Sequence, residues 1–533
     1  MQADILIVGG GVGGCAAALA ALRGGARVVL TEPTAWIGGQ LTAQLVPPDE
    51  HRRVESVHNS ASYQTFREGV REHYRRWYPL TDRARRDPRL NPGAGWASPI
   101  CHEPKVGLAV LRAMLRPYEA TSRLRVLHHT EPVRADVDGD TVTAVTLRDR
   151  DGRELTVAAR YVLDATELGD LLPLAGVEHV VGRESRDETG EPHAAATADP
   201  TDMQSATWCF AIEHRAGENH TIDKPDDYAH FRDWRPPAWG GRPILGFEGP
   251  EEEDIPPRRY HLDVNTDDDP ALIDIDHRNL GPAPALWNNR RIAARRQFTP
   301  GFYASDIVVV NWPLNDYVGG PLVGVPDAPA HWRAARQLSL SVLYWLQTEA
   351  PRPDGGTGWP GLRPVPEVTG TPDGFAMTPY VRESRRIRAL TTIREQDVSA
   401  ELRGEHPAVR YDDSVGTGHY YWLDRHAGTG GGKVAGGRPH PFEIPLGALV
   451  PRRVRNLLAA AKNIGTTQIT NGSYRMHPVE WSIGEAAGTL AALCLARGVE
   501  PHEVHERADL VADLQAVLQR DGVLLHWPDG TLW

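Results

Sequence analysis

Near the start of the chain Gly9, Gly11 and Gly14 are spaced G-x-G-x-x-G, and an acid, Glu32, lies one strand further on. Residues of these types at this spacing suit the holding of a dinucleotide. Gly9 permits a tight turn, Gly11 lets the main chain approach a pyrophosphate, and Gly14 lets a helix pack closely on its strands. The helix start then turns free amides and the positive end of its dipole toward the phosphates. An acid at the end of the next strand accepts hydrogen bonds from both hydroxyls of an adenosine ribose. The elements that must position these groups are legible. Residues 4–8 (DILIV) read as a short apolar strand, a small-residue helix reaches to about Leu22, and residues 26–31 (ARVVLT) read as a second strand ending at Glu32. A glycine motif framed by a strand, a helix and an acid is far more specific than the glycines alone.

The stretch after Glu32 contains Gly38, Gly39 and Gln40. Two glycines there suit a backbone that passes close to a second part of the ligand. With this turn the chain resembles the FAD-dependent oxidoreductases of the glutathione-reductase-like class, in which such a GG turn lies along the flavin side of FAD. Residues 161–170 (YVLDATELGD) resemble the second flavin-region signature of that class, with Ala165, Thr166 and Asp170 in place. The departure is Glu167, where the family usually has glycine, and it leaves the turn geometry open. The strand at 125–134 resembles the one whose turn, near Val133, meets the adenine, and residues 141–148 alternate as a hairpin strand.

Toward the C-terminus, residues 456–461 are a buried-strand pattern followed by Lys462 and Asn463, and residues 483–489 (IGEAAGT) belong to a helix of small residues. In the resembled family this helix, here with Gly484 and Ala487, points its positive end at the flavin's pyrimidine edge. With residues 380–387 and 412–415 ahead of it, the motif order resembles one branch of FAD-dependent oxidoreductases over roughly residues 1–185 and 375–500. The resemblance implies FAD as cofactor, held at the glycine loop (Gly9, Gly11, Gly13, Gly14), at Glu32 and at the later positions just named. A cation at Lys462 would stabilise reduced flavin.

Composition excludes other classes. The 533 residues, 41 % of them hydrophobic, give a globular balance rather than disorder, collagen or coiled coil. A net charge of −12 disfavours nucleic acid as a partner. Only Lys105, Lys224, Lys433 and Lys462 are lysines, so arginine supplies nearly all the positive charge, which reads either as a biased composition or as anion recognition. The four cysteines are scattered without a CxxC pair, which disfavours disulfide frameworks and cysteine-bound metals and suits a reducing cytoplasm. No metal site is expected: His502-Glu503-Val504-His505 is one residue short of a zinc motif. The apolar run at 5–22 carries five glycines and follows Asp4 directly, so it does not read as a membrane span. The glycine-rich stretch 428–433 fails as a P-loop, with Ala427 and Val434 at positions that need glycine and Ser or Thr. It reads as an active-site lid or a plain linker. No second strand–GxGxxG–helix unit marks a nicotinamide domain.

The expected fold class is α/β: a Rossmann-like FAD-binding domain with an inserted α+β substrate or cap domain. The FAD-binding domain takes residues 1–185, with a helical excursion at about 55–120, and resumes at 441–500. The insert takes 186–440, and 501–533 form a C-terminal helix and tail. Nine of the 15 tryptophans fall in 186–440, among turn clusters such as Thr266–Pro270. They either line a stacking cleft or fill a core. Chemistry on a flavin needs a base beside the donor carbon, and histidine suits that task. His477 and His426 lie in segments expected near the flavin, ahead of His51, His102 and His419. Each has the alternative of being an ordinary hydrogen-bonding histidine. Arg382 either anchors an anionic group or belongs to a structural ion-pair network. The resemblance implies oxidation of an alcohol or amine carbon of a small molecule by hydride transfer to flavin N5, with oxygen or another acceptor reoxidising the flavin. Alternatives are a flavin monooxygenase using external NAD(P)H and oxygen, and an RNA-modifying flavoprotein. The oligomeric state is left open.

Overall fold

The computed structural model describes all residues except 52, 253–255, 266–284, 434 and 533, so the turn cluster Thr266–Pro270 and Val434 lie outside it. The chain opens with β1 (Gln2–Val8), α1 (Val12–Arg23) and β2 (Val28–Glu32). Helices α2 (Ala61–Trp77) and α3 (Pro104–Ala120) follow, then β3 (Leu124–His128). A meander of β4 (Thr130–Asp138), β5 (Thr141–Asp149) and β6 (Glu154–Asp164) completes the first pass. Strands β3, β2, β1 and β6 pair in parallel in that order. The long β6 also pairs antiparallel with β5 through its first half, so the hairpin β4–β5 branches from the parallel sheet. This is an α/β fold with a Rossmann-like parallel sheet.

An antiparallel sheet follows, built from β7 (Phe210–His214), β8 (Arg291–Ala293), β9 (Ile307–Val310) and β10 (Leu362–Pro364), in the order β8-β9-β7-β10. Helix α4 (Ala328–Thr348) packs on it. Trp239, Trp287, Trp312, Trp345 and Trp359 are buried in this second core. Of the two roles open to the tryptophans, these five fill the core. Trp208 is partly exposed, with the Arg336 guanidinium 5.5 Å from its ring centre.

The chain then returns to the parallel sheet, where β11 (Leu457–Ala459) pairs with the end of β6. Helices α5 (Gln468–Tyr474) and α6 (His477–Arg497) follow. Ile387, Val415 and Phe442 already pack in the same core as β1. Helix α6 is buried on every side from His477 to Ala492, and its middle, residues 482–492, is made mostly of small and apolar residues, as suits a helix enclosed by protein. It meets α1 backbone to backbone. A Cβ at Gly484 would lie 2.0 Å from the Gly13 carbonyl oxygen, and one at Gly488 2.2 Å from that of Ala17. On its other side, a Cβ added to Gly13 would likewise lie 2.0 Å from the Ala460 carbonyl oxygen. Only glycine allows α1 to fit between the end of β11 and α6.

Among the described residues no helix is long and apolar enough to cross a membrane. None of their His, Cys, Asp and Glu side chains form a group able to hold a metal ion, and all four cysteines are free and buried.

Gly484→Ala tests the helix contact. Overpacking a dry backbone interface costs about 1–3 kcal/mol, occasionally more. The variant should melt well below the wild type, whereas Gly246→Ala, whose added carbon meets nothing nearer than 3.5 Å, should melt with it.

Candidate active site

Three turns meet at the C-terminal edge of the parallel sheet. At the first, β1 leads into Gly9, whose φ of +102° belongs to glycine and whose Cβ would lie 2.2 Å from the Ala165 carbonyl. Gly11 then caps α1 without any side chain, and a Cβ on Gly14 would meet the Gly9 carbonyl at 1.9 Å. The second turn holds Gly38, whose N–H donates to the Gly10 carbonyl at 2.7 Å, and Gly39, where a Cβ would be 2.9 Å from the Gly11 Cα. The third is the loop after β6. Asp164 accepts from the Thr166 amide at 3.0 Å and hydroxyl at 2.7 Å, and that hydroxyl accepts from the Asp170 amide at 2.6 Å. Arg385 holds Asp170 at 3.1 Å, and Asn463 donates to the Asp164 carbonyl at 3.0 Å.

Gly9, Gly11, Gly13, Gly14, Gly38, Gly39, Ala165, Thr166, Asn463 and Gly484 are thereby joined in one buried knot. Ala487 is buried in the same helix as Gly484. Val133 stands apart, at the register break of β4. Glu32, at the end of β2, accepts from the Thr34 amide and hydroxyl at 2.7 and 2.6 Å. Burial outweighs those bonds and raises its carboxyl to about 7.

Charge gathers beside the knot. The Lys462 ammonium is wholly buried and bonded to Glu167. Burial alone would lower its pKa, but Glu167 and Glu480 more than offset that and keep the group charged. Glu480, in the first turn of α6, accepts from the Gly13 amide at 3.4 Å and from the Gln40 side chain. Burial raises the Glu480 carboxyl, and Glu167 adds to the rise while Lys462 opposes it.

A second cluster lies between the start of α6 and the inserted sheet. The Asp49 amide donates to His477 Nδ1 at 2.9 Å, so the proton of the neutral ring sits on Nε2. Burial drives the His477 pKa down to about 3, and the ring is neutral at ordinary pH. The Asp49 carboxylate takes Arg290 at 3.0 Å. Burial would raise that carboxyl, yet the Arg290 guanidinium, with Arg475 adding to it, holds it below the usual range. Arg475 donates to the Tyr380 hydroxyl at 2.6 Å, and the Arg382 guanidinium lies 4.9 Å from the centre of the same ring. Arg382 donates to the Ser205 carbonyl and Thr207 hydroxyl, both at 2.9 Å, and its Nη2 is 3.1 Å from Asp316. The other Asp316 oxygen is 3.6 Å from His426 Nδ1.

Sequence reasoning singled out Arg382, His426 and His477. The structure joins the first two through Asp316 and sets His477 with Asp49 and Arg290. Asp49, Arg290, Asp316, Tyr380 and Arg475 were missed as site residues. Tyr380 stood in the stretch 380–387 already noted, but Asp316 carried no signal beyond its type. His51 is bonded to Asn59 at 2.7 Å, and its pKa falls to about 4 through burial. The 428–433 stretch is tied down, the Gly430 amide donating to Asp202 at 3.0 Å.

The family model for FAD-dependent oxidoreductases matches residues 4–518. The chain belongs to that family. No curated protein matches this family member. Among solved structures it is similar to the OxyS anhydrotetracycline hydroxylase from Streptomyces rimosus, at 14 % identity over 42 % of this chain and 39 % of that one, TM-score 0.24. It is also similar to the glycerol-3-phosphate dehydrogenase from Bacillus halodurans, at 14 % over 40 % of each, TM-score 0.23. A third similarity is to L-proline dehydrogenase from P. horikoshii, at 14 % over 34 % and 24 %, TM-score 0.18. The chain spans about a quarter to two fifths of the length of these structures.

The cofactor of this FAD-dependent oxidoreductase is FAD. The knot fits its pyrophosphate: main chain with no side chain at Gly11, a helix start and a buried ammonium. The element that does not fit passively is Glu167. One of its carboxylate oxygens is buried without a hydrogen-bond partner among the described residues, and a Cβ added at Gly11 or Gly39 would lie 2.9 or 2.5 Å from it.

A carboxyl whose folded pKa is raised holds its proton more tightly folded than unfolded. Glu32 therefore costs stability as pH climbs from its ordinary 4.5 to about 7, and the whole cost persists above. In the flavin-free protein, Glu32→Gln should match the wild type near pH 4.5 and exceed its stability by about 3 kcal/mol at pH 8, at 1.36 kcal/mol per pKa unit. Denaturation midpoints of both proteins across that range check it.

Proposed function

We propose that this flavoenzyme oxidises a carbon bearing a hydroxyl or amine on a small molecule, with His426 holding the proton that leaves the heteroatom. The observation that carries this reading is Asp316, which binds Arg382 through one oxygen and faces His426 through the other. Burial would raise the Asp316 carboxyl, but Arg382, His426 and Thr207 hold it below the usual range, so it stays an anion. An anion beside Nδ1 of an imidazole orients the ring and fixes its tautomer, leaving Nε2 for the substrate. The side chain of His426 keeps 29 % of its exposure, so a substrate can reach it. His477 has its Nδ1 taken by the Asp49 amide, and burial keeps the ring neutral despite the nearby Asp49 carboxylate, so it is a donor through Nε2 rather than the base. Arg382, spent on Ser205, Thr207 and Asp316, is a positioning residue and not an anion receptor.

FAD, when bound, supplies the hydride acceptor. The chain would hold it through the α1 amides and Lys462 at the pyrophosphate, Glu32 at the ribose, and the Gly38–Gly39 turn toward the flavin. The start of α6 would favour negative charge near it.

Purified protein should be yellow and bleach anaerobically with a suitable alcohol or amine. His426→Gln should lower kcat about 100-fold, within the range of a lost general base, with bound flavin unchanged. Asp316→Asn should move the pH profile of kcat/KM in the same assay. Full activity in both variants would overturn the assignment.

A further inference from the structure

The Glu167 carboxylate occupies a particular place. One oxygen is bonded to Lys462, and the other lies between Gly11 at the start of α1 and Gly39 of the second glycine turn, buried and without a partner among the described residues. Its backbone is fixed there: Ala165 packs on Gly9, and the Asp164–Thr166–Asp170 bonds lock the loop. The start of α1 and Lys462 are the groups a pyrophosphate would use, and a dianion cannot share them with a carboxylate at such range.

We propose that Glu167 is a built-in competitor for the FAD pyrophosphate, and that it sets the affinity of the protein for its cofactor. Cofactor loading is then an anion exchange, in which the carboxylate leaves Lys462 and the pyrophosphate takes its place. The burial of the two partners decides which one moves. Lys462 has no exposed side-chain surface, whereas Glu167 keeps 22 % of its own and has solvent to swing into. The other charged groups facing Glu167 are Glu480 from α6, Glu32 from β2 and Asp170 from its own loop, all acids that favour its departure only once Lys462 is otherwise satisfied. The exchange spares the unloaded protein a buried ammonium without a partner, which is a strongly destabilising arrangement.

The test uses the full-length chain stripped of flavin, titrated with FAD and with riboflavin by fluorescence quenching, alongside melting with and without FAD. Glu167→Gln should bind FAD about tenfold tighter, within the usual range of site coupling, and should melt lower than the wild type when flavin-free. Its affinity for riboflavin, which has no phosphate, should be unchanged. Inorganic pyrophosphate should compete with FAD more strongly on the variant. Glu167→Asp, shorter by one carbon, should fall between the two and guards against a folding defect in the amide variant. Unchanged or weaker FAD binding by folded Glu167→Gln would overturn the proposal, as would an equal gain for riboflavin. These measurements need no turnover, so they stand or fall apart from the role given to His426.

Discussion

Main chain lies against main chain around Gly13, and the rest of the site depends on that contact. The Gly13 residue is caught between the Ala460 carbonyl at the end of β11 and Gly484 of α6, two segments from the far end of the sequence. On both sides carbonyl and Cα meet with no side chain between them, so the contact is short and intolerant of any added atom. It sets the height of α1 over the sheet, and with it the placement of the Gly11 cap. It also brings the start of α6, with Glu480 and His477, to the same edge. A chain whose halves are separated by the inserted sheet is closed here by glycine.

How much of this was legible in the sequence follows the range of each interaction. The motif at 9–14, the acid at 32 and the turn at 38–39 are local patterns with local causes, and the parallel strands around them were readable from apolar runs. The small residues of α6 announced close packing, though not against what. By contrast, the pairing of Lys462 with Glu167 joins residues nearly 300 positions apart, and Asp316 acquires meaning only when Arg382 and His426 converge on it. The sequence marked Glu167 as a departure from the family pattern, but only the fold shows where its carboxylate lies. The tryptophans were ambiguous for a different reason: burial decides between packing and recognition, and burial is a tertiary property.

Histidine shows the same limit from the side of chemistry. His477 and His426 were equally attractive by type and position. Their surroundings separate them, because full burial beneath a backbone amide costs the His477 ring its basicity, while the His426 ring faces the Asp316 carboxylate and keeps part of its solvent exposure. The arginine-rich composition also gains a structural use. Arg382 is buried and Arg290 nearly so, and each makes forked bonds, Arg290 to both Asp49 oxygens and Arg382 to Ser205 and Thr207, that lysine could not replace.

The Asp49–Arg290 pair has a mechanical consequence. Asp49 follows the second glycine turn, whereas Arg290 leads into β8 of the inserted sheet, and the Asp49 amide steadies the ring that begins α6. Sliding the insert away from the parallel sheet would strip a buried carboxylate of its cation, at a cost of about 3–5 kcal/mol. The insert is thus latched rather than hinged, and any path that admits a substrate must run around this bolt instead of through it.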